Sequence, residues 1–193
     1  MARLSTSENE AVTDAEITSA MAAFSPGALA EIDPGTRIAF MHPADFLCLA
    51  APVAERIDSS GRTAAVQALM DAGETFSSLP VLEINLDGED GYVQAHDGRH
   101  RAMEILSRGG ALMPVVLEVL DGETGAPADP VDLEHLRLLH PQPHDEDDSY
   151  PGFDEEALEE RLMPLAVARV MGVVMDVGAV QGLLEQEMPA PGR

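Results

Sequence analysis

The sequence contains no tryptophan and no lysine, a single cysteine, and only two tyrosines and five phenylalanines in 193 residues. With aromatics at 4%, there is little material for the platforms on which single-stranded nucleic acids stack. Because lysine is absent, every basic side chain is arginine, and eleven of these face 35 acidic residues for a formal net charge of -24. A field of that sign repels DNA, RNA and anionic membrane surfaces at long range, which argues against direct nucleic-acid binding. It leaves room for a local arginine to hold a small anion. The lone Cys48, in "DFLCLAAP", excludes an intrachain disulfide and reads as a buried structural thiol. No uninterrupted apolar run is long enough to span a bilayer, since the nearest, "LAVARVMGVVMDVGAV" at 165–180, carries Arg169 and Asp176. No basic leader precedes an apolar run at the N-terminus. The expectation is a cytoplasmic protein without a membrane partner.

What is present is an ordinary 45% of apolar residues, enough for one substantial core. Residues 1–30 read as a polar N-terminal segment with a short helix, for which "TDAE" at Thr13–Glu16 has the pattern of a capping box. A domain over 31–122 follows. In it, "PGTRIAF" at 34–40 reads as a turn and strand, Pro43 opens a short helix running to Ala50, and "TAAVQALMDAG" at 63–73 reads as a helix ended by Gly73. Val81, Leu82, Ile84 and Leu86 form a strand, "DGEDG" a turn, and Tyr92–Ala95 the returning strand. A helix over Arg99–Ser107 and the β-rich "MPVVLEVL" at 113–120 complete it. Residues 123–153 read as an acidic loop and linker, with nine carboxylates between Asp145 and Glu160, and 154–193 as a C-terminal helical segment. Met163, Met171, Met175 and Met188 there suit adaptable packing. The fold class expected is α+β, a small mixed β-sheet with packed helices, plus C-terminal helices.

Chemistry concentrates in "HDGRHR", residues 96–101. Gly98 can adopt a backbone conformation closed to other residues and let a ligand approach the main chain. A helix beginning at Arg99 would present free N–H groups that favour an anion. Arg99 and Arg101 can add charge-assisted contacts to phosphate oxygens, and His100 can donate a hydrogen bond or relay a proton. Residues two apart do not share a helix face, so one arginine should serve the ligand. Arg101 is expected in that role, with Arg99 paired to a surface carboxylate. Asp97 would either cap the helix or orient His100. Glu83, on the strand before the hairpin, is either a general base in the same cleft or a solvated strand residue. Glu104 fits an intrahelical ion pair, and His96 with His100 does not make a metal site by spacing alone, so no metal ligands are assigned.

The stretch "VQAHDGRHRAMEILSRGGALMPVVLEVL", with the preceding "LPVLEINLDGEDGYV", resembles the core of the ParB/sulfiredoxin-like superfamily over about residues 36–120. In that core a strand enters an Asp-Gly-x-His-Arg turn, a helix follows, and a crossover leads to a strand beginning near a proline. Sulfiredoxins of this superfamily carry a reactive cysteine beside the motif glycine, where this chain has Arg99. Partition proteins bind CTP through a Gly-Glu-Arg-Arg box, which here reads Gly98, Arg99, His100, Arg101. The local wording is nearest to the free-serine kinases, whose Asp-Gly-His-His-Arg turn is similar to Asp97–Arg101. The resemblance implies a nucleotide or other small phosphorylated ligand, ATP, ADP or CTP with Mg2+, bound by Gly98, Arg99, His100 and Arg101. It also implies phosphotransfer to a small hydroxyl substrate, with Asp97, His100 and Glu83 as catalytic residues. Two alternatives stand beside it. One is a noncatalytic phage- or plasmid-associated protein that binds a protein partner or self-associates through its C-terminal helices, and the other is nucleic-acid processing.

Overall fold

Thr13 and Glu16 close the capping box reciprocally. The Thr13 hydroxyl accepts from the Glu16 amide at 3.3 Å, and the Glu16 carboxylate accepts from the Thr13 amide at 2.8 Å. The structure, a computed structural model, describes residues 12–50, 61–87, 90–128, 137–139, 165–166 and 173–187. Helix α1 (Asp14–Met21) buries Ile17, Ala20 and Met21, the i, i+3, i+4 stripe of a helix lying on a core. After a short 3-10 turn at Pro26–Leu29 comes strand β1 (Arg37–Met41), then helix α2 (Pro43–Leu49) with proline in its first turn. His42 caps α2, its Nδ1 accepting from the Ala44 amide at 3.1 Å. Helix α3 (Arg62–Asp71), the hairpin β2 (Val81–Asp87) and β3 (Asp90–Asp97), helix α4 (Arg99–Ser107) and strand β4 (Met113–Asp121) follow.

The C-terminal part departs from the expected helical segment. Leu165–Ala166 form strand β6, paired to strand β5 (Arg137–Leu139), and Val173–Asp176 form strand β7 rather than helix; among the described residues of this segment, Val177–Glu187 is helical, as α5. β7 opens on two β-branched valines and lies antiparallel to β1, with Arg37 opposite Asp176 and a 3.1 Å ion pair between their side chains. Pairing with a strand some 135 residues earlier in the chain decides the state of this apolar run.

The seven strands form one mixed sheet in the order β6-β5-β3-β2-β4-β1-β7. β2 runs parallel to β4 and β3 to β5, while the other neighbours are antiparallel. Ile38 to Met41 and Met113 to Leu117 are buried without interruption, so both faces of β1 and β4 are covered. α2 and α3 pack against α4, and α1 packs against β4 and α5.

The core crosses the boundaries expected at 31 and 122. Ile17, Met21 and Phe24 from the N-terminal segment and Val177 and Val180 from α5 lie in the same cluster as Phe40, Leu82 and Val115. The apolar side of α5 expected to serve assembly is thus partly spent inside this fold. Met175 packs against the core as expected of an adaptable methionine. Residues 1–11, the acidic linker at 140–160, Met163, Met171, Met188 and the Cys48 side chain lie outside the described residues. No helix among the described residues is long and apolar enough to cross a membrane.

Candidate functional site

β3 delivers His96 and Asp97 to the start of α4, and Gly98 makes the corner at φ 106°, in the left-handed region. Glycine is required twice over, because a Cβ here would stand 2.6 Å from the Cβ of Pro80. The space left by the missing side chain is therefore filled by Pro80. The expectation that it admits a ligand is corrected to that extent.

The carboxylate of Asp97 does not cap α4. The N-cap is Gly98, with no side-chain hydrogen bond, and Asp97 Oδ2 instead accepts from Arg101 Nη2 at 2.5 Å. Arg101 Nη1 donates to the Ser78 carbonyl and to Ser78 Oγ, each at 2.6 Å. The Arg101 side chain is only 11% exposed against 75% for Asp97, so the guanidinium is an internal tie between the turn and residue 78. The pairing expected of the two arginines is the other way round: Arg101 is tied internally, while Arg99, expected to be paired, forms no ion pair among the described residues. Its charge is felt by His96, whose imidazole is held below the ordinary range first by burial and then by Arg99, with Asp97 opposing. His96 lies edge-on to the buried Phe46 with ring centroids 6.4 Å apart, and its Nδ1 is buried without a partner among the described residues.

His100, the second residue of α4, bonds through Nδ1 to Thr63 Oγ1 at 2.9 Å, while its Nε2 is enclosed and has no partner among the described residues. Thr63 is the second residue of α3, which begins as α4 does. Its N-cap Gly61 is left-handed at φ 66° and supplies no side-chain cap, and Arg62 follows it. Arg62 also forms no ion pair among the described residues.

Eight residues further along each helix, from 63 to 71 and from 100 to 108, a second contact joins them, Arg108 Nη2 to Asp71 Oδ1 at 2.6 Å. Matched contacts at both ends mean that α3 and α4 run side by side in the same direction. Two positive helix ends are thus adjacent, and at each of them the N-cap glycine supplies no side-chain acceptor to the first amides, nor does any other side chain among the described residues. Glu104, buried at 5% exposure, supports this pairing through Arg108 Nε at 2.6 Å. Its intrahelical partner is therefore Arg108, one turn onward.

Sequence reasoning passed over Arg62 and Thr63. "GRT" at 61–63 and "GRH" at 98–100 share a Gly-Arg start, and that repeat was the available signal. Glu83 lies half-buried on β2 opposite Ala95, with Leu82 and Ile84 turned into the core on the other face. Among the described residues it makes no hydrogen bond or ion pair with residues 97–101. No group of three or more His, Cys, Asp or Glu suited to a metal occurs among the described residues. No family model, curated protein or solved structure matches this chain.

Proposed function

We propose that the chain binds a nucleotide or another small phosphate-bearing ligand at the adjoining starts of α3 and α4. The observation that carries this reading is the pair of parallel, uncapped helices, each led by a left-handed glycine and an arginine without a carboxylate partner among the described residues. Like ends of two helix dipoles repel one another, so an anion placed there relieves that repulsion and takes hydrogen bonds from free amides. Arg99 and Arg62 supply charge that no ion pair among the described residues neutralises, in a chain whose overall field is strongly negative. The resemblance of residues 36–120 to the ParB/sulfiredoxin-like superfamily points to the same turn, and ATP, ADP or CTP are the ligands it suggests.

The finer reading is phosphotransfer to a small hydroxyl. The terminal phosphoryl group would pass to the acceptor oxygen, and the acceptor proton to Asp97, the exposed carboxylate beside the turn. Mg2+ would be held chiefly by the phosphates. Glu83 has no contact that favours it over Asp97 as the base.

Calorimetry with ATP, ADP, CTP and GTP, with and without Mg2+, tests the binding claim. Saturable binding that Arg99→Ala weakens at least tenfold is expected, and absence of binding to all four, or equal binding by the variant, overturns it. A product assay with small hydroxyl acceptors then separates a kinase from a sensor.

A further inference from the structure

The Thr63 hydroxyl and the His100 ring meet at 2.9 Å between residues 37 positions apart, in a part-buried contact that belongs to neither helix alone. A hydroxyl can donate or accept, and a neutral imidazole has one nitrogen of each kind, so two arrangements satisfy the distance. They differ in what they leave unpaired. If Nδ1 carries the proton, Thr63 accepts; its own O–H then has no acceptor among the described residues, and the enclosed Nε2 is left as a bare acceptor. If Nε2 carries the proton, Thr63 donates to Nδ1 and one group alone, Nε2–H, is without a partner. Both leave the enclosed Nε2 unpaired, and the first arrangement forfeits the Thr63 O–H as a donor besides, so the second arrangement is favoured.

We propose that Thr63 is a positioning residue which, by donating to Nδ1, fixes His100 in the tautomer bearing its proton on Nε2. His100 then stands at the start of α4 as a hydrogen-bond donor, and not as a base, because its lone pair is occupied by Thr63. That role rests on the phosphate-site reading, in which an enclosed donor beside free amides suits a ligand oxygen once the turn admits one. The tautomer itself does not depend on that reading. The contact joins side chains on different elements, so the assignment also makes α3 part of the site.

The test is the side-chain nitrogen spectrum of the full chain labelled with 15N at histidine, taken where the ring is neutral. Wild type is expected to show a proton-bearing Nε2 and a bare Nδ1 at His100, Thr63→Ser to keep that pattern, and Thr63→Val to shift the proton toward Nδ1. In the same variants, ADP affinity should fall about fivefold in Thr63→Val, the equivalent of one hydrogen bond, and recover in Thr63→Ser. A proton on Nδ1 in the wild type, or an unchanged tautomer in Thr63→Val, overturns the proposal. Should Thr63→Val fail to fold, the wild-type and Thr63→Ser spectra decide by themselves. A chain that binds no nucleotide but shows the expected tautomers removes the proposed function and retains the positioning role. A chain that binds nucleotide with Nδ1 protonated does the reverse.

Discussion

Three hydrogen bonds occupy the guanidinium of Arg101, while Arg99, two residues earlier, forms no ion pair among the described residues. The two arginines should therefore fail differently when removed. Arg101→Ala should cost about 2 kcal/mol of stability in urea unfolding, mostly through the Ser78 contacts, because the exposed Asp97 arm is screened by water. Arg99→Ala should change stability by no more than about 0.5 kcal/mol, as is usual for surface positions, and lose ligand affinity instead. Gly98 gives a third expectation at this scale. Gly98→Ala combines a left-handed backbone with a Cβ 2.6 Å from Pro80, and its unfolding free energy should drop by about 2 kcal/mol or more. The glycine was legible in the sequence, but the partner that requires it was not. Pro80 lies 18 residues earlier and reaches Gly98 only through the pairing of β2 with β3.

At the scale of elements, local signals were read well where they were self-contained. Helix α4 spans Arg99–Ser107 as the sequence indicates, because a glycine turn and an apolar period bracket it on both sides. The Thr13–Glu16 box is likewise complete within four residues, and Thr13→Ala should cost about 1 kcal/mol, measurable as a lower urea midpoint with an unchanged slope. β7 looks helical in sequence because "VVMD" sits in an apolar run of helical length, and its β1 partner is invisible to a local pattern. The same limit hides the second half of the proposed site. Arg62 and Thr63 open an unremarkable helix in sequence, and they matter only because Thr63–His100 and Asp71–Arg108 lay α3 beside α4.

For the whole molecule, the dominant facts are a net charge of -24 and a single core drawing on α1, the sheet and α5. Acid should act on stability through His96 in a definite direction. Its folded value lies below 6.5, so above that pH the ring is neutral in both states and the fold keeps the full benefit. As pH falls through 6.5 toward the lower folded value, the unfolded chain takes up the proton first and stability declines. Glu16 and Asp121, both held low by hydrogen bonds, also lower stability in acid, whereas Asp45, raised by burial, acts oppositely, so the measurement is a difference. His96→Gln should flatten the decline relative to wild type in urea titrations between about pH 6.5 and 5, and identical slopes would show that His96 is not its source. The same global charge makes a localised anion site conspicuous, and it can be sought amide by amide. The most direct measurement is a backbone 15N–1H titration of the full chain with Mg2+ and ADP. Saturable shifts concentrated on the amides of Arg62, Thr63, Ala64, Arg99, His100 and Arg101 are predicted. Shifts confined to other parts of the fold, or none at millimolar nucleotide, would contradict a phosphate site at the paired helix starts.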